Sequence, residues 1–128
     1  MKSPILGGHN RIRKRMSTEI QEIEVRIEDI KEIIGDLEAL NRLSNNKDFK
    51  RIIDEGYFVK KACESVIARA NPEMQEKDKQ EGLLKTIDAI GELRQYFKVI
   101  TALGQRARNE LEQHEGLLEE VLKEDLQS

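Results

Sequence analysis

Residues 18–40 read TEIQEIEVRIEDIKEIIGDLEAL, and the spacing of the isoleucines in that stretch decides the fold. Ile20, Ile23, Ile27, Ile30, Ile34 and Leu37 recur at alternating three- and four-residue intervals. That spacing lines side chains along one stripe of an α-helix and, when sustained, sets the stripe against a neighbouring helix as a coiled coil. Thr18 with Gln21 three residues later makes a capping box, with Ser17 as a competing cap, so the helix is predicted to start here and to run over 17–44. Val25, Ile33 and Leu40 widen the apolar surface beyond a two-helix seam. Such breadth predicts contact with more than one neighbour, in a bundle or an oligomer.

Working outward, a second stripe begins at Leu83 and Ile87 and continues through Ile90, Leu93, Phe97, Ile100, Gly104, Ala107, Leu111, His114, Leu118 and Val121. From Ile90 onward the three-four alternation never slips, which predicts a second long helix over 80–124, about 60 Å in length at about 1.5 Å per residue. A helix of that length needs a partner along its side. Folding back onto the first helix gives an all-α, antiparallel hairpin. The first helix covers only about 39 Å at the same rise, so the last third of the second is expected to lack an intrachain partner and to seek one in the N-terminal arm or in another subunit. Gly104 and Ala107 remove side chain from the seam and predict close helix approach there, whereas Gly91 and Gly116 lie off it and mark bends or crossing points.

Between the stripes, Ser44, Asn45 and Asn46 break the first helix. Residues 46–72 then read as a small two-helix head. Asn46 or Asp48 caps a short helix carrying Phe49, Ile52 and Ile53, which Gly56 is expected to stop. Tyr57 and Phe58 open another, with Ala62, Val66, Ile67 and Ala70 on its apolar side, and Asn71-Pro72 starts the next helical segment. Three of the five aromatic residues, Phe49, Tyr57 and Phe58, fall in this short span and predict its packed core.

The 128 residues are 37% charged and 38% hydrophobic, with no Trp and a net charge of −3, which suits one small domain of solvated helices and excludes the large enzymatic folds. The near balance hides a polarity. Lys2, Arg11, Arg13, Lys14 and Arg15 give the first 18 residues a charge of +5 with no acid, while residues 109–128 carry seven acids against Lys123. Residues 1–16, with Pro4, Gly7 and Gly8, read as a basic extended arm outside a single helical domain of 17–128. Its cations Arg11, Arg13, Lys14 and Arg15 are the candidate docking residues, suited to the acidic end of a neighbouring subunit or to a second partner. Nucleic-acid phosphate is the weaker target, because no aromatic residue is interleaved for base stacking and the rest of the chain is acidic.

Chemistry is scarcely indicated. Cys63 is the sole cysteine, so neither an intrachain disulfide nor a cysteine zinc site is available, and a reducing compartment follows. His114 has no second His, Cys or Asp on its seam face to complete a triad or metal site, and a polar seam residue more often fixes register. His9 has no assignable partner. The acids, such as Glu24, Glu28 and Glu32, recur at one-turn spacing as a solvated face rather than a sheltered pair. No phosphate loop or Glu-x-x-His pair is present. No catalytic residue, cofactor or metal is expected. Neither a membrane-spanning run nor the apolar core of a secretory signal is read in the sequence.

The segment from Asp48 to Leu103 resembles a set of small helical proteins encoded by tailed bacteriophages. Asp48-Phe49-Lys50, Glu55-Gly56-Tyr57-Phe58, Ala70-Asn71-Pro72-Glu73-Met74-Gln75 and Ala89-Ile90-Gly91-Glu92-Leu93-Arg94-Gln95-Tyr96 carry the likeness, over a little under half of the chain. The resemblance implies a phage origin and a place in or on the virion, around the head, portal or neck, without an assigned activity. On that basis the expected function is a structural virion protein that forms homo-oligomers and contacts other virion proteins. Its seam residues would be Ile20, Ile23, Ile27, Ile30, Ile34, Leu37, Leu93, Phe97, Ile100, Leu111 and Leu118. The competing expectation is a soluble phage protein, present in host cytoplasm during infection, that engages a host protein or nucleic acid through the arm and the head around Tyr57. No membrane partner is expected.

Overall fold

In the computed structural model the backbone is described for residues 4–127, and side chains for Arg15 and residues 17–127. The order of elements is α1 (Pro4–Ser44), α2 (Lys47–Phe49), a π-helix (Lys50–Lys61), α3 (Ala62–Ala68), a 3-10 turn (Pro72–Met74) and α4 (Lys77–Gln127). No strand occurs among the described residues, so the class is all-α as expected. The chain divides into two compact units, one formed by residues up to Gly35 together with those from Leu103, the other by Asp36–Ala102.

In the first unit the seam residues meet each other. Ile23, Ile27 and Val121 are buried together, with Ile20, Leu111 and Leu118 packed against them. Ile30 is completely buried, and the two small seam residues Gly104 and Ala107 are buried as well. Arg26 donates from its guanidinium to Glu110 at 2.9 Å, while Ser17 and Ile20 share a shallow cleft with Asp125. Rising numbers in one helix therefore face falling numbers in the other, which is antiparallel order. The end of α4 was expected to lack an intrachain partner. Instead Leu111, Leu118 and Val121 pack against Ile20, Ile23 and Ile27, because the two apolar stripes are in register there.

The ion pair across this seam is partly open to water, with side-chain exposures of 48% and 30% for Arg26 and Glu110. Solvent screening keeps such a pair weak. A double-mutant cycle over Arg26→Ala and Glu110→Ala should give a coupling of about 0.5 kcal/mol that shrinks with added salt. A coupling of about 2 kcal/mol or more, indifferent to salt, would contradict this account.

In the second unit Leu37, Leu40 and Ile90 are buried. Around Phe97 an aromatic cluster forms, with ring centroids 5.9 Å from Phe49 and 5.9 Å from Phe58. Tyr57 leans on Phe58 at 6.0 Å and Tyr96 on Phe97 at 6.2 Å. Asn46 caps α2 by accepting from the backbone N–H groups of Asp48 and Phe49 at 2.9 and 3.0 Å. Asn71 does the same for Glu73 at 3.0 Å, with Pro72 at the first helical position, as its sequence predicts.

The corner between α3 and α4 is tied by two glutamine amides. Gln75 donates to the carbonyls of Arg69 and Asn71 at 2.8 and 2.7 Å, and Gln80 donates to those of Arg69 and Met74 at 3.0 and 2.7 Å. The two bonds to Arg69 satisfy the carbonyl at the C-cap of α3, and those to Asn71 and Met74 fasten the 3-10 turn to the start of α4.

Several expectations are corrected. α1 runs from Pro4 rather than from the Thr18 capping box, so residues 4–16 have helical rather than extended backbone. Proline is well placed at a helix start, and propagating an existing helix through Ile12, Arg13, Lys14 and Arg15 costs less than nucleating a new one. Gly56 does not stop a helix. It lies inside the π-helix and, like every described residue, has no left-handed backbone. A Cβ placed there would come within 3.0 Å of the Arg51 carbonyl oxygen, five residues back, so the lack of a side chain suits the wider turn. Gly91 and Gly116 have open space where a Cβ would stand, which removes close approach as the reason for either.

Candidate interaction surfaces

The predicted seam divides according to burial. Ile23, Ile27, Ile30 and Leu37 are buried within the chain, and Ile20, Ile34, Leu93, Phe97, Ile100, Leu111 and Leu118 are half-buried. The most apolar part of the seam therefore serves the fold of one chain and is not presented for a second. Phe97 changes role, since it joins Phe49 and Phe58 of the head as the ring that contacts both. Leu40 is buried and Ile33 half-buried as the broad stripe predicts, but Val25 is 62% exposed. It borders a shallow groove with Gln21, Glu24, Ile27, Glu28, Lys31 and Leu118.

His114 is half-buried, and its Nδ1 lies 2.8 Å from the carbonyl oxygen of Glu110. The imidazole is thus engaged by its own helix, one turn back, on the same residue whose carboxylate pairs with Arg26. This small network belongs to the helix seam. Of the candidate docking residues, Arg15 is exposed, whereas the side chains of Arg11, Arg13 and Lys14 lie outside the described residues.

The head is where the sequence reading of the surface fails. Ala62, Val66, Ile67 and Ala70 were expected on the inward side of the third helical segment. The structure instead buries Ser65 to 4% exposure and half-buries Ala62 and Ala68, leaving Val66 and Ile67 outward at 57% and 72%. Ser65 tolerates burial because its hydroxyl donates to the Lys61 carbonyl at 2.7 Å, which leaves a small side chain with no unsatisfied group. A π-helix ends at Lys61, directly before this segment, and α3 turns the small Ser65 rather than its aliphatic residues inward. Cys63 is exposed and lines a shallow, apolar depression with Ala62, Val66 and Ile67.

Among the described residues no helix is long and apolar enough to cross a membrane, and no group of His, Cys, Asp and Glu has the arrangement to hold a metal ion. No family model, curated protein or solved structure matches the chain. The surfaces described above are therefore read from their own chemistry.

Proposed function

We propose that this chain is a non-enzymatic structural component of a bacteriophage particle, acting through contacts with copies of itself and with other virion proteins. The observation that carries the contact role is the head surface, where Val66 and Ile67 are 57% and 72% exposed and line a shallow apolar depression with Ala62 and Cys63. Large aliphatic side chains grouped on one face favour a partner that removes them from water, at about 25 cal/mol per Å² of apolar surface covered. The phage setting, and with it a place around the head, portal or neck, comes from the resemblance carried by residues 48–103. Two of the strings in that resemblance have structural work in the fold. Ala70 to Gln75 forms the hydrogen-bonded corner, and Glu55-Gly56-Tyr57-Phe58 supplies the π-helix and part of the aromatic cluster.

Quantitative mass spectrometry of washed, purified particles tests this reading. The chain should be present at a fixed number of copies per particle, and extended washing should not change that number. Absence from particles together with abundance in infected cytoplasm would overturn it in favour of a soluble binder.

A further inference from the structure

The first unit carries charge of both signs in separate places. Its N-terminal segment through Met16 has five cations and no acid, whereas the rest of the unit has thirteen acidic residues against five basic ones. Arg11, Lys14 and Arg15 fall three and four residues apart, so these positions share one side of α1, with Ile12 and Met16 on the adjoining strip. Further along the same helix, the shallow groove bordered by Val25 has the matching order. Glu24 and Glu28 stand one turn apart, both exposed, with the exposed Val25 beside them and Leu118 of α4 on the lining. We propose that this groove receives the basic N-terminal segment of α1 from a second copy of the chain. The inference rests on the reading of the chain as an assembling protein and deepens it, by naming the two surfaces through which copies meet and leaving the head for other virion proteins.

Continuity of the helix and charge together fix the occupant. α1 is one helix from Pro4 to Ser44, and it supplies both the basic segment and every lining residue of the groove except Leu118. Arg11 and Val25 are therefore held about 21 Å apart along its axis, at about 1.5 Å per residue, and the segment cannot bend back into the groove of its own chain. A copy of the segment has to arrive from another molecule. It brings a basic strip to the acidic pair, with apolar residues beside the charges on both surfaces, whereas an acidic partner would set like charges face to face. Lys31 stands at one end of the groove, beyond the acidic pair.

A covering surface also suits the segment itself. Gly7 and Gly8 lie within α1, and each costs roughly 1 kcal/mol in helix stability relative to alanine, so helical backbone there gains from contact. The strength of the docking follows from its parts. Exposed ion pairs are weak and screened by salt, and one valine adds little apolar area, so the contact is reversible and salt-sensitive. Segment and groove are different patches of one chain, so copies close into a pair or ring by exchanging segments, or continue head to tail.

Sedimentation of the purified full-length chain tests the proposal at about 10 mM and about 1 M salt, where screening acts over about 30 Å and about 3 Å. Mass should rise with protein concentration at low salt, and association should weaken at least about tenfold at high salt. Reversal of the segment, with Arg11→Glu, Lys14→Glu and Arg15→Glu together, should give a monomer of unchanged helicity, as should reversal of the groove by Glu24→Lys with Glu28→Lys. A mixture of these two variants should associate again, because both contacts between them join opposite charges. Glu73→Lys with Glu92→Lys, at exposed acids of the second unit, should associate as the parent does. A chain that is monomeric at low salt, association indifferent to salt, a mixture that stays monomeric, or an equal loss on changing Glu73 and Glu92 would each overturn the proposal. A monomeric chain whose segment instead binds a mixed-sequence DNA duplex would overturn it in favour of nucleic acid. Failure here is distinguishable from failure of the virion reading. A chain that associates through segment and groove but is missing from particles keeps this contact and discards that location. A particle-bound chain that is monomeric at low salt does the reverse.

Discussion

Ile30→Ala should destabilise the chain by about 3 kcal/mol, measured as a lowered urea midpoint in far-UV circular dichroism. Ile30 is the one large side chain with no exposure to solvent among the described residues. Truncating it removes three carbon atoms from full burial and leaves a cavity in a packed seam that can relax only in part. The gain in helix propensity from alanine is at most about 0.5 kcal/mol and does not offset that loss. Neighbours on the same helix give the control series. Ile34 is half-buried, so Ile34→Ala should cost about 1–2 kcal/mol, while Val25→Ala, at 62% exposure, should stay within about 0.5 kcal/mol of the parent. Because small domains are stable by only about 5–15 kcal/mol, the first change should also lower the thermal midpoint by several degrees. An Ile30→Ala variant no less stable than Val25→Ala would mean that the three-four stripe does not mark the core.

The stripe itself is legible in the sequence, whereas the gradation along it is not: Ile30 and Ile34 hold equal places in the spacing, and Val25 reads as part of the apolar surface although it is 62% exposed. Ile23, Ile27 and Ile30 in the first unit and Leu37 in the second are inward, and so are the small residues Gly104 and Ala107 on the second stripe. A long helix repeats one geometry, and a periodic count therefore stays in phase along it. Caps were legible for a different reason. Asn46 and Asn71-Pro72 act on backbone groups within three residues, so their role needs no tertiary knowledge.

The surface of the head was illegible, because a short helix takes its facing from tertiary packing rather than from its own apolar residues, and no residue type announces the π-helix from Lys50 to Lys61 that precedes it. Val66 and Ile67 were consequently assigned inward, and Ser65, which answers its own polarity through Lys61, was overlooked as a core residue. The start of α1 at Pro4 was missed because a strong capping box at Thr18 competes locally with continuation of a helix already formed.

Phe97→Ala should produce the largest loss in the second unit, about 3 kcal/mol, and the loss should report on the head rather than on the seam for which the residue was first selected. Phe97 is the common neighbour of Phe49, Phe58 and Tyr96, with centroids between 5.9 and 6.2 Å, so its removal breaks three ring contacts at once. Each such contact contributes roughly 0.5–1.5 kcal/mol beyond area burial, and the truncated side chain adds its own transfer term, reduced because Phe97 is only half-buried. Phe97→Leu separates the two contributions, since it retains most of the apolar volume and loses the rings, and should cost about 1–2 kcal/mol. Tyr96→Ala is the internal reference. That ring is 60% exposed and touches Phe97 from outside, so its removal should cost less than about 1 kcal/mol. Hydrogen exchange should locate the damage, with protection falling in residues 47–68 of the Phe97→Ala variant before it falls around Ile23 and Val121. Equal costs for Phe97→Ala and Tyr96→Ala, or uniform loss of protection along the chain, would show that the aromatic cluster does not hold the head.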